Sequence, residues 1–148
     1  AYEVAGILGM LSSGWMMDHI FKGRGGRAAV IYMFICTLSV LLFWKMPNES
    51  TLFYGIMLCI TGFFIYGPQA LVGIIVANIV TKKAAATAIG LTGLFGYLST
   101  VLSGWGIGYI VTHSGWDAAF ATFIGIGAMA VVFFAITWNA GYIPRPQK

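Results

Sequence analysis

Four polar side chains in this 148-residue chain, Glu3, Tyr66, Gln69 and Tyr97, lie within, or at the edge of, long apolar runs. A phenol, amide or carboxylate in such a run needs a hydrogen-bonding partner or water, because an unsatisfied polar group in apolar surroundings is expensive. These residue types suit recognition by hydrogen bonding and do not suit catalysis. The sequence holds no Ser/His/Asp grouping, no paired catalytic carboxylates, and no HExxH, CxxC or GxxxxGK motif. His19 and His113 fall near opposite ends of the apolar runs and cannot share a metal ion. Cys36 and Cys59 sit in different runs and read as small buried hydrophobes. No metal and no cofactor is expected, and the chain is not expected to be an enzyme.

The elements that must position these residues are five apolar stretches, at about 2–20, 28–46, 51–80, 84–112 and 116–142. Each is near or above the ~20 residues that cross a bilayer as a helix. Residues are 59% hydrophobic and 8% charged, against about 25% charged in soluble domains. Mean hydropathy is +0.89. The fold class expected is therefore all-α and integral to a membrane, with loops too short to hold a soluble domain and the lipid bilayer as partner. Seven of the eight basic residues (Lys22, Arg24, Arg27, Lys82, Lys83, Arg145 and Lys148) fall on one side, and Lys45 alone on the other. Positive-inside bias makes the basic side cytoplasmic, with the C-terminus inside. This asymmetry accounts for the net charge of +4 without nucleic acid as a partner. Trp15 and Trp138 mark inner ends of stretches and Trp44 and Trp116 outer ends, as an interfacial belt does. The chain opens Ala1-Tyr2-Glu3 with no initiator Met and reads as the C-terminal part of a larger membrane protein.

Two stretches are patterned. In the fourth, Ala86, Gly90, Gly93, Tyr97, Val101, Gly104 and Gly108 recur every three or four residues and make one small-residue face. Tight helix packing explains the glycines but not Tyr97. The third is longer than the ~30 Å hydrocarbon core at 1.5 Å per residue. Gly67-Pro68 lies near its centre, where Pro68 removes a backbone donor and a kink is expected. Tyr66, Gln69, Ala70 and Gly73 share a face there. Two readings fit: a broken helix lining a transport path, or a kink that only shapes packing. Glu3 likewise fits either a surface just above the outer face or the interior of the bundle. Asp18 and Asp117 fall at loop ends.

The segment Gly14-Trp15-Met16-Met17-Asp18-His19-Ile20-Phe21-Lys22-Gly23-Arg24-Gly25-Gly26-Arg27 resembles the cytoplasmic loop motif of major facilitator superfamily transporters, in which an acidic residue is followed by basic residues and glycine turns. In that motif Asp18 pairs with an arginine, Arg24 or Arg27, and His19 replaces a basic residue. Phe64-Ile65-Tyr66-Gly67-Pro68, Lys82-Lys83-Ala84-Ala85, Gly93-Leu94-Phe95-Gly96-Tyr97-Leu98 and Gly115-Trp116-Asp117 together resemble the organophosphate:phosphate antiporter family of that superfamily. The resemblance covers essentially the whole chain, as helices eight to twelve of twelve. It implies most of the C-terminal half of a transporter built from two six-helix halves, whose N-terminal half and helix seven lie elsewhere in the protein. It also implies alternating access in a cell inner membrane and exchange of a small organophosphate for inorganic phosphate. Tyr66 and Tyr97 match cavity-lining tyrosines, and Glu3 matches an acidic residue near the substrate, which favours the interior reading; Gln69 joins the cavity set. The family grips phosphate with arginines from helices one and seven, which this chain does not contain. Hexose-phosphate members carry a charged pair in the helix matching 84–112, and residues 92–100 carry none. A small substrate such as glycerol-3-phosphate is thus favoured over a hexose phosphate. Membrane sensors of sugar phosphate also occur in the family and are the alternative from another class.

The basic bias generates a test. Cysteines introduced at Asn48 and Ser114, in a background without Cys36 and Cys59, should react in intact cells with an impermeant thiol reagent. Labelling only after the cells are opened would reverse the orientation.

Overall fold

The computed structural model describes residues 2–46 and 50–139. Expectations that fall on 1, 47–49 and 140–148, including the end of the fifth stretch, Arg145 and Lys148, lie outside the described residues. Four helices make up the rest: α1 (Tyr2–His19), α2 (Gly25–Lys45), α3 (Thr51–Ile79) and α4 (Ala85–Ile136). Three of them, α2, α3 and α4, are long and apolar enough to cross a membrane. α1 spans 18 residues and carries Glu3, Ser12, Ser13, Asp18 and His19. Gly115, at φ 80° and ψ 178°, interrupts α4 and divides it into 85–114 and 116–136. That backbone conformation is open in practice to glycine alone, so one residue makes the connection expected at 113–115.

Boundaries otherwise follow the apolar runs, with two shifts: α4 ends at Ile136, short of the expected end at 142, because the chain turns at 137–139, and α2 starts early. α2 begins at Gly25, three residues before the expected start, and takes Arg27 out of the loop into its first turn. The reason is packing: Gly25 and Gly26 are buried, and a Cβ on Gly26 would collide with the Thr137 carbonyl. The reversal between α1 and α2 has Lys22 at φ 52° and Gly23 at φ 86°, and the Gly23 N–H donates to the Met17 carbonyl at 2.8 Å.

α3 is the central element and runs through Pro68 as one helix. It packs on α1 and α2, and α2 packs in turn on α4. Glycines set the approach. A Cβ on Gly9 would overlap the Phe63 carbonyl, one on Gly62 would stand 2.8 Å from Tyr2, and one on Gly67 would enter the Tyr32 ring. In lipid, packing and interhelical hydrogen bonds replace the hydrophobic drive, so small residues belong at these crossings. Hydroxyls reinforce them: Ser12 Oγ and Tyr32 Oη lie 2.7 Å apart, Ser39 Oγ and Thr61 Oγ1 3.0 Å apart, and Ser13 donates to the Gly67 carbonyl at 3.4 Å. Met17, Ala28, Ala29 and Leu71 form a buried cluster against Phe134.

The small-residue face of 85–114 behaves differently. No atom lies within 4 Å of a Cβ built on Gly90, Gly93, Gly96, Gly104 or Gly108. Among the described residues this face is open, and the packed half of α4 is 116–136, where Gly127 sits against Thr37 and Phe120 against Phe43 at 5.8 Å.

Gly9→Ala forces the α1–α3 backbones apart and should cost the full-length protein about 1–3 kcal/mol, the usual scale of overpacking. Gly14→Ala, in the same helix with nothing within 4 Å, should leave the thermal midpoint in detergent almost unchanged. Equal shifts for the two variants would contradict the close crossing.

Candidate functional site

A groove of about 590 Å³ lies between α3 and the 85–114 half of α4. Gln69, Val72 and Gly73 line it from α3, at the i, i+3, i+4 spacing of one helix face. Thr92, Gly93, Gly96, Tyr97 and Thr100 line it from α4 with the same period. The glycines hold the groove open by supplying no side chain. Tyr97 is 79% exposed.

The polar groups of this groove are not equivalent. Thr92 Oγ1 donates to the carbonyls of Ala88 and Ile89, at 2.9 and 2.8 Å. Ser99 and Thr100 both donate to the Gly96 carbonyl, at 2.7 and 3.0 Å. Each hydroxyl proton is thereby committed to the helix's own backbone, a common habit of Ser and Thr in helices. What these residues present to the groove is oxygen lone pairs. The groove donors available to an oxyanion are the Gln69 amide and the Tyr97 hydroxyl. Among the described residues, no Lys or Arg lines the groove.

Tyr66 and Glu3 form a second pair. The Tyr66 hydroxyl donates to Glu3 Oε2 at 2.8 Å, joining α3 to the start of α1. The ring is seated over Gly6, where a Cβ would come within 2.6 Å, and meets Tyr2 edge-on at 5.9 Å. Glu3 is exposed and its carboxylate is oriented by the phenol. Neither Glu3 nor Tyr66 lines the α3–α4 groove. The structure thus brings the four solute-facing candidates together in two pairs, Gln69 with Tyr97 and Glu3 with Tyr66. The α3 face that carries Tyr66 and Gln69, three residues apart, connects them.

The loop-motif residues gather at the other end of α1. Asp18 is exposed on its last turn, and Arg24 is the residue before α2. Arg27 reaches across to the end of the described chain: its Nη2 donates to Asn139 Oδ1 at 3.3 Å, and its guanidinium lies 5.5 Å from the Trp138 ring centre. Sequence reasoning did not foresee this contact, because it joins residues 112 positions apart. It also missed the Trp44 indole donating to Asp117 at 2.8 Å, with Lys45 stacked on the same ring at 3.8 Å. The available signal was that Trp44 and Asp117 both fall at ends expected on the outer face.

No family model matches the chain. It is 40% identical over 141 residues to a glycerol-3-phosphate transporter of Bacillus subtilis, covering 95% of this chain and 32% of that protein. It is 36% identical over 140 residues to a probable hexose phosphate transport protein of Chlamydia muridarum, covering 94% of this chain and 31% of that protein. It is also 36% identical over 136 residues to the membrane sensor protein UhpC of Salmonella typhimurium, covering 90% and 31%. The chain therefore spans about a third of the length of these relatives. They are named for transport or sensing, and not for catalysis.

The Glu3–Tyr66 bond gives a direct test. In the full-length protein Glu3→Ala and Tyr66→Phe should be non-additive in thermal midpoint, because each alone breaks the same contact. Strict additivity would show that the two side chains do not interact.

Proposed function

We propose, for a chain that belongs to the organophosphate:phosphate antiporter family of the major facilitator superfamily, that it forms most of the C-terminal half of a secondary transporter exchanging a small organophosphate for inorganic phosphate. Five crossings fit α1, α2, α3 and the two halves of α4 on either side of Gly115. The basic ends face the cytoplasm of a bacterial inner membrane, and the rest of the protein supplies the opposite wall of the substrate path.

The observation that carries this reading is the groove itself: uncharged, and lined by the neutral polar groups of Gln69 and Tyr97 on a chain 40% identical to a glycerol-3-phosphate transporter. Neutral donors orient a phosphate ester without trapping it. They cannot alone offset the desolvation of a dianion, which needs a paired cation. The cations therefore come from residues outside this chain, and arginines suit the task because their planar fork bonds two phosphate oxygens at once. Alternating access then widens and narrows the groove as the two halves rock. The absence of charge from 92–100 favours a small ester over a hexose phosphate.

Full-length protein in proteoliposomes loaded with inorganic phosphate should take up glycerol-3-phosphate in exchange. Uptake of a hexose phosphate instead would move the substrate assignment to that class. Binding of a sugar phosphate with no exchange of either solute would replace the transporter by a sensor. Within the exchanging protein, Tyr97→Phe should weaken substrate binding by about two- to tenfold, the scale of one hydrogen bond. An unchanged affinity would remove Tyr97 from the site.

A further inference from the structure

We infer that the turn between α1 and α2 is a binding site for the phosphate of an acidic phospholipid headgroup. A pocket of about 280 Å³ lies there, lined by Ile20, Phe21, Lys22, Arg24 and Arg27. Three of its five lining residues are cations. The Nε of Arg27 is buried and has no hydrogen-bond partner among the described residues. An anion in the adjoining pocket would pair with the charge of the Arg27 guanidinium, whose Nε itself is out of direct reach. Lys22 is held at φ 52°, a conformation unfavourable to a residue with a Cβ, and its side chain borders the same pocket.

The apolar half of the lining selects the source of that phosphate. Ile20 is 54% exposed and Phe21 is packed against the buried cluster of Met17, Ala28, Ala29 and Leu71. Trp15 and Trp138, the latter beneath the Arg27 guanidinium, place the pocket at the depth of the membrane interface. A free anion has no use for an apolar rim, whereas a lipid has its glycerol and acyl chains to lay along it. Basic pockets at helix ends are suited to such headgroups. The second basic loop, with Lys82 and Lys83 both exposed, provides the contrast. The inference rests on the membrane-crossing reading above, but not on which face is cytoplasmic or which solute is carried.

The test uses full-length protein in detergent micelles doped with phosphatidylglycerol or with phosphatidylcholine, and counts retained lipids by native mass spectrometry. Phosphatidylglycerol should be retained in preference. Lys22→Gln, at an exposed position, should lower that retention about fivefold, since one interfacial cation contributes about 1 kcal/mol. Arg27→Gln should do the same or more, with folding checked by thermal midpoint. Lys82→Gln with Lys83→Gln should leave retention unchanged. Equal losses for the two loops would show diffuse attraction and overturn the site. Displacement of the lipid by millimolar inorganic phosphate would make it a free-anion site and overturn the lipid assignment. Failure of exchange in the liposome assay, with lipid retention intact, would leave this site standing and remove only the transport reading.

Discussion

Close approach of α1 to α3 is the contact on which the other features depend. It is possible only because Gly9 lets α1 lie against the Phe63 carbonyl and Gly6 lets the Tyr66 ring lie on the α1 backbone. Gly62 receives Tyr2 from the other side. With the helices this near, the Tyr66 hydroxyl reaches Glu3, and Ser13 reaches the Gly67 carbonyl beside Pro68. A single methyl at the crossing would separate these pairs. In a bilayer such contacts matter more than in water, because burying apolar surface against another helix yields little over burying it in lipid.

The same rule explains why the two halves of α4 differ. The 116–136 half is tied to α2 by Gly127 against Thr37, by the Phe43–Phe120 contact and by the Trp44–Asp117 bond at the far end. The 85–114 half has comparable glycines and no such ties among the described residues. Its hydroxyls bond to their own helix and not to neighbours. An element with few interhelical contacts is the one whose position is most easily changed, and it forms one wall of the groove. Gly115 separates the anchored half from the unanchored one.

Charge is distributed to match. The groove offers two neutral donors and many lone pairs, and the cations stand at helix ends: Lys22, Arg24 and Arg27 at one, Lys45 at the other. Among the described residues this wall of the groove carries no cation. The carboxylate of Glu3 does not line Tyr97's groove; it accepts a hydrogen bond from Tyr66, three residues before Gln69 on α3.

The length and period of the apolar runs made the helices legible from composition alone, since a membrane helix must satisfy its own backbone and so announces itself by its residues. α1 and α3 end within a residue of where the runs end. The candidate polar residues were legible for the same reason, as Tyr66, Gln69 and Tyr97 stand out against apolar neighbours. Which of them meet was not. Helical period says that Tyr66 and Gln69 share a face, but the partner of each depends on which helices cross at Gly9 and Gly67, and that choice is made by close packing between segments 54 or more residues apart. The start of α2 was misjudged because Gly25 and Gly26 look like turn residues until Thr137 is seen packed against them. For the glycines of 85–114, the sequence determined a face without side chains; only the tertiary structure decided that this face borders an open groove, because a small residue permits close contact but does not compel it.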